Sequence, residues 1–311
     1  VNSLVNIEAS ELLEITGDIA STIHRKDPSV VTEESTRIVN INQEASGTIV
    51  INGNVSTVGN DLTRSEVNIG LKTADSVLNG SINDTYLGTD TTKDTGGTNL
   101  SLENGATWNV TGDSAFNSLT GDEGVVTTNG HQVTVDTITN ELGGTTIETT
   151  SGEANQIKVA RVAGEGLEIH LTDDAAKDLD ASDLPGSLAS VADIGQTDSD
   201  VTITSDEYGV YGDMEVVLGE NGEAVSFTEA KNTVTQGLQD IAANNFLFFR
   251  SQMNDVSKRM GDLRSMPSAA GAWARYYGGE MKYGDMDMES RYNTLQIGAD
   301  QRFGNFYLGL S

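Results

Sequence analysis

Residues 1–222 alternate hydrophobic and polar positions in short runs that are rich in Val, Ile and Thr. Clear examples lie at 47–52, 106–111 and 166–172. Alternation with period two over four to seven residues predicts half-buried β-strands. Asn-Gly pairs between several of the runs supply residues that favour tight turns. The pattern therefore predicts many short strands joined by turns.

Many short strands are compatible with a sandwich, a closed barrel or a parallel β-helix. Only 5% of the residues are aromatic and 34 are Gly, so the thick core of a two-sheet sandwich would be hard to fill. A β-helix has a thin aliphatic core and stacks Asn, Ser and Thr in ladders. We therefore predict a mainly β fold, with a right-handed parallel β-helix over residues 1–225. The stretch 172–200 lacks alternation and is predicted to be an exposed acidic excursion.

A helix is predicted where the hydrophobic period changes. Ser226 and Glu229 have the spacing of a capping box, with a Ser N-cap and a Glu three residues later. Apolar residues then recur three and four positions apart, at Val234, Leu238 and Ile241. These features predict a linker α-helix over residues 226–266.

The second half of the predicted helix, residues 250–264, has no continuous apolar stripe. A helix that is polar on all sides neither packs into a hydrophobic core nor faces lipid. We therefore expect it to lie in a water-filled lumen. Its charged candidates for lumen positions are Lys258, Arg259, Asp262 and Arg264.

Longer alternation follows Pro267. In the run 292–300, Thr294 and Gln296 alternate with Leu295 and Ile297. A polar side and an apolar side over about ten residues are typical of a tilted transmembrane β-strand. We predict that residues 267–311 form the first strands of an antiparallel outer-membrane β-barrel, which we expect to be incomplete. The aromatic residues predicted at the membrane interface are Trp273, Tyr276 and Tyr277.

Charge separates the two parts of the chain. The formal net charge is −29, and residues 226–311 carry nine basic and nine acidic side chains, so the whole excess lies in residues 1–225. This acidic half excludes nucleic acid and anionic lipid head groups as expected partners, because both bind basic patches. No Cys is present. The sequence has no apolar run of 18 residues, so it does not predict a membrane-spanning helix.

The sequence offers little catalytic or metal-binding chemistry. The segment 111–115 places Ser114 beside Asp113, but it lacks the flanking Gly of a nucleophile elbow. The three His residues lie in unrelated strand or loop contexts, and no His pair has metal-ligand spacing. We therefore interpret 111–115 as a turn and expect no metal, no cofactor and no enzymatic turnover in this chain.

The segment Met253-Asn-Asp-Val-Ser-Lys-Arg-Met-Gly-Asp-Leu-Arg264, followed by Gly271-Ala-Trp-Ala-Arg275, resembles the linker and first barrel strand of type V autotransporters. The resemblance is strongest to the serine protease autotransporters of enterobacteria. Residues 106–114 look like the last β-helix coils of pertactin-like and adhesin-type passengers. The resemblance implies an autochaperone-like region at about 100–225 and a helix that threads an outer-membrane barrel. It also implies outer-membrane lipid, the barrel-assembly machinery and periplasmic chaperones as partners.

The resemblance also implies a chemical event at Asn254. Protease autotransporters of this group cut themselves at an Asn-Asn pair, whose first side-chain amide attacks its own backbone carbonyl. Here the pair is Asn254-Asp255, so the nucleophile is retained and the second Asn is not. Cleavage at this site and an uncut or externally processed passenger both stay open.

From these features we expect translocation and surface display of a passenger, with the barrel in the outer membrane and the passenger outside the cell. The passenger is expected to be an adhesin or a structural stalk, with a surface ligand that the sequence does not identify. The alternative is a protease or esterase passenger whose catalytic domain precedes Val1. A stand-alone carbohydrate-binding β-helix is a weaker alternative, because the barrel strands argue against it.

Overall fold

The computed structural model describes residues 2–23, 34–90, 92, 94–263, 269–284 and 288–310, with side chains for these except 251–263, 288, 307, 309 and 310. The chain divides into two compact units, Val1–Ala230 and Lys231–Ser311. We call the first unit the stem and the second the helix–sheet unit, and we describe each separately.

The described residues form 24 strands and three helices. The strands in chain order are β1 (Ser3–Ile7), β2 (Leu12–Thr16), β3 (Ile19–Thr22), β4 (Ser35–Ile41), β5 (Thr48–Asn52), β6 (Val55–Gly59), β7 (Thr63–Leu71), β8 (Val77–Asn79), β9 (Ile82–Tyr86), β10 (Gly96–Glu103), β11 (Thr107–Asn109), β12 (Ser114–Asp122), β13 (Gly124–Thr127), β14 (Val133–Asn140), β15 (Thr145–Thr149), β16 (Ile157–Gly164), β17 (Leu167–Leu171), β18 (Ala192–Thr197), β19 (Val201–Ser205), β20 (Met214–Leu218), β21 (Ala224–Glu229), β22 (Ala270–Tyr283), β23 (Met288–Phe303) and β24 (Phe306–Leu310). The helices are α1 (Asp173–Ala176), α2 (Leu184–Ser190) and α3 (Thr233–Leu263).

Two long sheets build the stem. The main row of the first sheet is β1-β4-β7-β10-β12-β14-β16-β18, with β3, β6 and β9 as a side branch that joins β12. The second sheet has the order β2-β5-β8-β11-β13-β15-β17-β19-β20-β21. Neighbouring strands are parallel up to β18 and β19, as in coils that stack on one another. The mainly β, β-helix-like architecture of the stem is therefore confirmed, and its predicted right hand stays a prediction.

Parallel pairing places similar apolar side chains in columns through the core. In the second sheet, successive partners put nine apolar residues at one level: Ile15, Ile51, Leu78, Trp108, Val126, Ile147, Ile169, Ile203 and Val216. All but Ile15 are fully buried. Trp108 also packs edge-to-face on Phe116, with ring centroids 5.3 Å apart. Removing such side chains from water is the main stabilisation of a core that is otherwise thin.

Asparagine ladders follow the same register on the outside of the coils. The Asn40 amide donates to Asn6, Asn68 donates to Asn40, and Asn99 donates to Asn68, over 2.9, 2.8 and 2.7 Å. A second ladder joins Asn109 to Asn79 and Asn79 to Asn52, each over 2.8 Å. The ladders satisfy the amide groups between coils, as the composition predicted.

The first sheet forks at β12. Ala115 of β12 pairs with Asn83 of the side branch, whereas Ser118 pairs with Asn99 of the main row. At the fork, the Asp84 carboxylate accepts hydrogen bonds from the hydroxyls of Thr57 and Thr98 and from the backbone N–H groups of Thr98 and Asn117, over 2.7–3.0 Å. Asp84 therefore replaces the backbone pairing that is lost where the two rows separate.

The fork also opens a polar cleft of about 250 Å³, lined by residues of β6, β9, β10, β12 and β14. Asp136 lies in this cleft with Asp84. Partial removal from water, and then the nearby charge of Asp84, raise the pKa of the Asp136 carboxyl. The Asp84 carboxylate thus has a structural role, and the Asp136 carboxylate lies in the same cleft with the same sign of charge.

Residues 172–200 are packed more closely than the sequence predicted. Ala175 and Leu188 of the two short helices are fully buried, and Asp183 caps α2 by accepting from the Gly186 N–H over 3.2 Å. β18 then adds a parallel strand to the first sheet. The acidic side chains of this segment are exposed as predicted, but it is not an excursion, because its short helices bury apolar residues and β18 joins the first sheet.

The stem ends in an antiparallel meander, which corrects the predicted helix start. β20 pairs antiparallel with β19, and β21 pairs antiparallel with β20. Ser226 and Glu229 lie in β21, so their capping-box spacing does not start a helix. The helix begins at Thr233, where the Asn232 side chain accepts from the Thr235 N–H over 3.1 Å. Pairing with the preceding strand β20 therefore outweighs the capping-box spacing here.

The helix–sheet unit consists of α3 and an antiparallel sheet in the order β22-β23-β24. Fourteen residue pairs join β22 and β23, from Ala270–Gln301 to Tyr283–Met288. No helix among the described residues is both long enough and apolar enough to cross a membrane.

We predict that Asp84→Ala destabilises the stem by about 2–4 kcal/mol, because the backbone N–H groups of Thr98 and Asn117 would lose their shared acceptor. Urea unfolding measured through Trp108 in a Trp273→Phe background reads out the stem core, since the chain has two Trp residues. Asp136→Ala in the same cleft is the matched control and should not lower the midpoint. Equal midpoints for the two variants would contradict the structural role of Asp84.

Candidate functional site: the linker helix and the β22–β23 hairpin

The β22–β23 hairpin has two chemically different faces, because residues paired across antiparallel strands point to the same side. One face carries the pairs Arg275–Gln296, Tyr277–Thr294 and Gly271–Asp300, and we call it the polar face. The other carries Ala274–Ile297, Tyr276–Leu295 and Ala272–Ala299, and we call it the apolar face. Leu295 and Ile297 are 62% and 65% exposed, so nothing in the described part of the chain covers the centre of the apolar face.

The three aromatic residues predicted at a membrane interface are divided between these faces. Tyr276 lies on the apolar face and is 70% exposed. Trp273 pairs with Gly298 and Tyr277 with Thr294, which places both on the polar face. A shared interface role for the three residues therefore does not match their placement, and it stays a prediction for Tyr276.

Helix α3 lies against the polar face of the hairpin. The Asn244 amide donates to the Ser290 hydroxyl over 2.5 Å. One helical turn further on, the Phe248 and Tyr292 rings meet edge-to-face with centroids 5.8 Å apart. Ser290 and Tyr292 belong to the same face as Thr294 and Gln296, since side chains alternate along a strand.

One turn before Asn244, Asp240 packs against the end of β22. A Cβ added at Gly284 would lie 2.0 Å from a carboxylate oxygen of Asp240, so a side chain there would displace the end of Asp240. Gly284 also has a φ of +84°, a conformation that Gly adopts with little strain. Both features favour Gly at this position.

The helix buries polar residues and exposes apolar ones in its first half. Asp240 and Asn244 are each 9% exposed, whereas Leu238 and Phe249 are each 61% exposed. A surface helix normally shows the reverse arrangement. The pattern fits a helix whose partner is a polar surface.

This contact surface was not predicted, although the sequence carries a signal for it. Polar residues recur every four positions at Asn232, Gln236, Asp240 and Asn244, which places them on one helical face. The apolar residues on the opposite side of the helix give the more familiar helical pattern. The polar stripe is the part that the hairpin contacts, from Asp240 onward.

The charged and amide candidates in the second half of the helix are not tested by these contacts. Arg264 lies outside the described residues, and only the backbone is described for the remaining candidates, which are Asn254, Asp255, Lys258, Arg259 and Asp262. Cleavage at Asn254-Asp255 and the lumen roles therefore stay predictions.

Ser114 has a structural setting. It is 3% exposed, and its hydroxyl donates to the Gly112 carbonyl over 2.9 Å and accepts from the Ile82 N–H over 3.1 Å. His131 lies beside Asp113 instead, with 3.7 Å between their nearest ring nitrogen and carboxylate oxygen. Residues 111–113 connect β11 to β12, as a turn would, whereas Ser114 and Ala115 already belong to β12. In the part of the chain that the structure describes, no three His, Cys, Asp or Glu side chains are grouped to hold a metal ion.

We predict that Gly284→Ala loosens α3 from the hairpin, because the Asp240 carboxylate must move to admit the methyl group. Gly304→Ala is a matched control: its φ is also positive, at +61°, but a Cβ there would meet nothing within 4 Å. Both variants carry the left-handed backbone strain of about 1–2 kcal/mol. Hydrogen exchange of the α3 amides in the full-length protein should accelerate only in Gly284→Ala, and equal acceleration in both would contradict the contact.

Comparison with curated proteins finds relatives among bacterial autotransporters. The chain is 26% identical over 213 residues to the serine protease Pet autotransporter of Escherichia coli O44:H18, which covers 64% of this chain and 16% of that protein. It is 25% identical over 214 residues to serine protease EspP of E. coli O157:H7, with the same coverage. It is 35% identical over 75 residues to the serine protease SepA autotransporter of Shigella flexneri, or 24% of this chain and 5% of that protein.

The chain thus spans about a sixth of the length of the first two relatives. No protein-family model matches it, and no solved structure matches it. The named relatives are all serine proteases, and this overturns the expectation that the protein is not an enzyme. The resemblance to type V autotransporters that the residues predicted is confirmed by these relatives.

Proposed function

We propose that this chain is the part of a type V autotransporter that joins a surface-exposed passenger to its outer-membrane barrel. In this proposal the stem stands outside the cell, α3 passes through the barrel lumen, and β22–β24 are barrel strands. The expected partners are outer-membrane lipid, the barrel-assembly machinery and periplasmic chaperones. The acidic stem has no role in binding nucleic acid.

The observation that carries the proposal is the position of α3 on the polar face of a hairpin whose other face is apolar and exposed. Hairpins of soluble proteins usually place their apolar face in the core. Here Asp240 and Asn244 pack on the inner, polar side, and Leu295 and Ile297 point away. A barrel strand has this arrangement, with lipid outside and a polar lumen inside.

Lipid facing of the apolar side can be tested with two positions of β23 that lie on opposite faces. Ile297→Arg should reduce the outer-membrane form, because a cation at the lipid face costs about 2–4 kcal/mol near the bilayer centre. Thr294→Arg introduces the same charge on the polar face, opposite Tyr277, and should be tolerated. Membrane fractionation, heat-modifiable migration on gels and protease digestion of the passenger on intact cells measure the outcome. Equal assembly of both variants would argue against membrane strands.

We further propose that the passenger is of the serine protease class, the alternative that the sequence left open. The named relatives support this choice. Because Ser114 is buried and hydrogen-bonded within the stem, we place the catalytic residues in the part of the protein outside these 311 residues. The stem then acts as a support that holds the catalytic domain away from the membrane.

A serine-directed fluorophosphonate probe tests the class of the passenger. The full-length protein should be labelled and should cleave a general protein substrate. The 311-residue chain expressed without the preceding region is the control and should stay unlabelled. Absence of both labelling and proteolysis in the full-length protein would reject a protease passenger.

A further inference from the structure

The apolar face of the β22–β23 hairpin changes its chemistry along the strands. We call the end where β22 leads into β23 the tip, and the opposite end, at Ala270 and Gln301, the base. Beyond the apolar pair Tyr276–Leu295, the next pairs toward the tip on this face are Gly278–Asn293, Glu280–Arg291 and Lys282–Glu289. The face is therefore apolar over its larger part and charged at the tip.

The apolar part has the length of a membrane hydrocarbon layer. On β23 its residues lie at the odd positions from Phe303 to Leu295, all apolar except Gln301, and Asn293 follows. Asn293 and Phe303 are ten residues apart, which is about 34 Å along a strand. At a strand tilt of about 40° this corresponds to about 26 Å across a membrane, and the apolar band of outer-membrane strands is about 25 Å tall.

A tyrosine marks the end of this apolar part. Tyr276 points outward beside Leu295, and its hydroxyl donates to Asn293 Oδ1 over 3.0 Å. A Tyr with an apolar ring and a hydrogen-bonded hydroxyl suits the level at which hydrocarbon gives way to head groups. In the proposed membrane orientation, the charged pairs beyond Asn293 therefore lie among the lipid head groups.

The four charged side chains at the tip form one network, which we call the quartet: Glu280, Lys282, Glu289 and Arg291. Arg291 Nη2 lies 2.6 Å from Glu289 Oε1, and Arg291 Nε lies 3.5 Å from Glu280 Oε2. Lys282 Nζ lies 3.8 and 3.7 Å from the same two carboxylates, which is longer than a hydrogen bond. The two carboxylates thus hold both cations on one side of the strand pair.

The cations are the outer members of the quartet. The side chains of Arg291 and Lys282 are 73% and 65% exposed, whereas those of Glu280 and Glu289 are 44% and 35% exposed. A guanidinium has five N–H donors and an ammonium has three, so donors remain for a further anion. The planar fork of Arg matches two oxygens of a phosphate, and Lys adds a compact charge beside it.

The tip belongs to the outer side of the membrane in the proposed function. The stem stands outside the cell, and α3 begins shortly after the stem ends, at Thr233. Asp240, near the start of α3, packs against Gly284 at the tip. The quartet therefore lies at the outer leaflet, where Gram-negative bacteria carry a glycolipid with phosphates on its sugars.

We propose that Arg291 and Lys282 bind the sugar phosphates of an outer-leaflet glycolipid, with Glu280 and Glu289 holding the two cations in position. This inference rests on the proposed function, because it assumes that the hairpin lies in the outer membrane. The quartet has no net charge, so the phosphate is recognised by the arrangement of the two cations rather than by a general attraction for anions. The acyl chains of the bound lipid lie along the apolar face, and the lipid fixes the height of the hairpin in the membrane.

The first test needs no variant. The full-length protein is purified from the outer membrane in detergent, stripped of bound lipid and titrated with bisphosphorylated lipid A, and native mass spectrometry measures the bound fraction. Lipid A from which the phosphates have been removed should bind about tenfold more weakly, which corresponds to about 1.4 kcal/mol. Equal binding of the two lipids would overturn the site, because acyl contacts alone would then account for it. Displacement of lipid A by inorganic phosphate at an equal concentration would also overturn it, since the site would then take a free anion.

The second test assigns the binding to the quartet. Arg291→Gln should weaken the binding of bisphosphorylated lipid A about tenfold, because charge-assisted hydrogen bonds to the phosphate are lost. Arg291→Lys keeps the charge without the fork and should bind with an intermediate affinity. Arg302→Gln is the matched control, since it makes the same change on the polar face near the base, and it should not alter the affinity. Equal affinities of Arg291→Gln and Arg302→Gln would overturn the assignment.

The outcomes separate the lipid site from the proposed function. Heat-modifiable migration of each protein is measured before lipid is added. A protein that never reaches a heat-modifiable outer-membrane form would reject the proposed function, and the lipid site with it. A heat-modifiable protein that does not distinguish the two lipids would reject the lipid site alone.

Discussion

In-register parallel pairing is the constraint on which the stem depends. Each strand sits directly over its counterpart in the previous coil, so every residue is stacked on the residue at the same position one coil away. An apolar residue must therefore meet an apolar one, as in the column through Leu78, Trp108 and Val126. Amides meet amides over four coils in the ladder from Asn99 to Asn6, which gives way to a hydroxyl where Ser118 pairs with Asn99. The irregular coil lengths are tolerated because the loops absorb them.

The helix–sheet unit follows a different rule, since its hairpin separates polar from apolar residues by face. This separation determines which side chains of α3 can pack on each face of the hairpin. A helix with an apolar stripe would pack on the apolar face, whereas Asp240 and Asn244 select the polar face. The exposed apolar side chains on the rest of α3, such as Leu238, are then compatible with the fold because the contact is made by polar groups.

Local sequence pattern predicted the parts of the fold that local pattern controls. The alternating runs at 47–52 and 166–172 contain β5 and β17, and the change of period located the helix approximately. The predicted start of the helix was wrong because Ser226 pairs with Val217 in the β20–β21 hairpin, and the capping-box spacing alone does not exclude a strand. The contact between Asn244 and Ser290 was missed because 46 residues separate them along the chain. The proposed protease class rests on the named relatives and not on a catalytic site among these residues.

The asparagine ladders have a consequence for the chemical durability of the stem. Asn52 and Asn79 each precede a Gly, and an Asn-Gly pair is open to deamidation when the Gly nitrogen attacks the side-chain carbonyl. A side chain at Gly53 or Gly80 would lie within 2.2 Å of a backbone oxygen of the neighbouring coil, so neither Gly is replaceable. The fold instead occupies the reacting groups: the Gly53 and Gly80 nitrogens donate to the next coil over 3.0 and 3.1 Å, and the Asn52 and Asn79 carbonyls accept in the ladder. The stacked coils thus slow the ageing of a sequence that would deamidate readily as an unfolded chain.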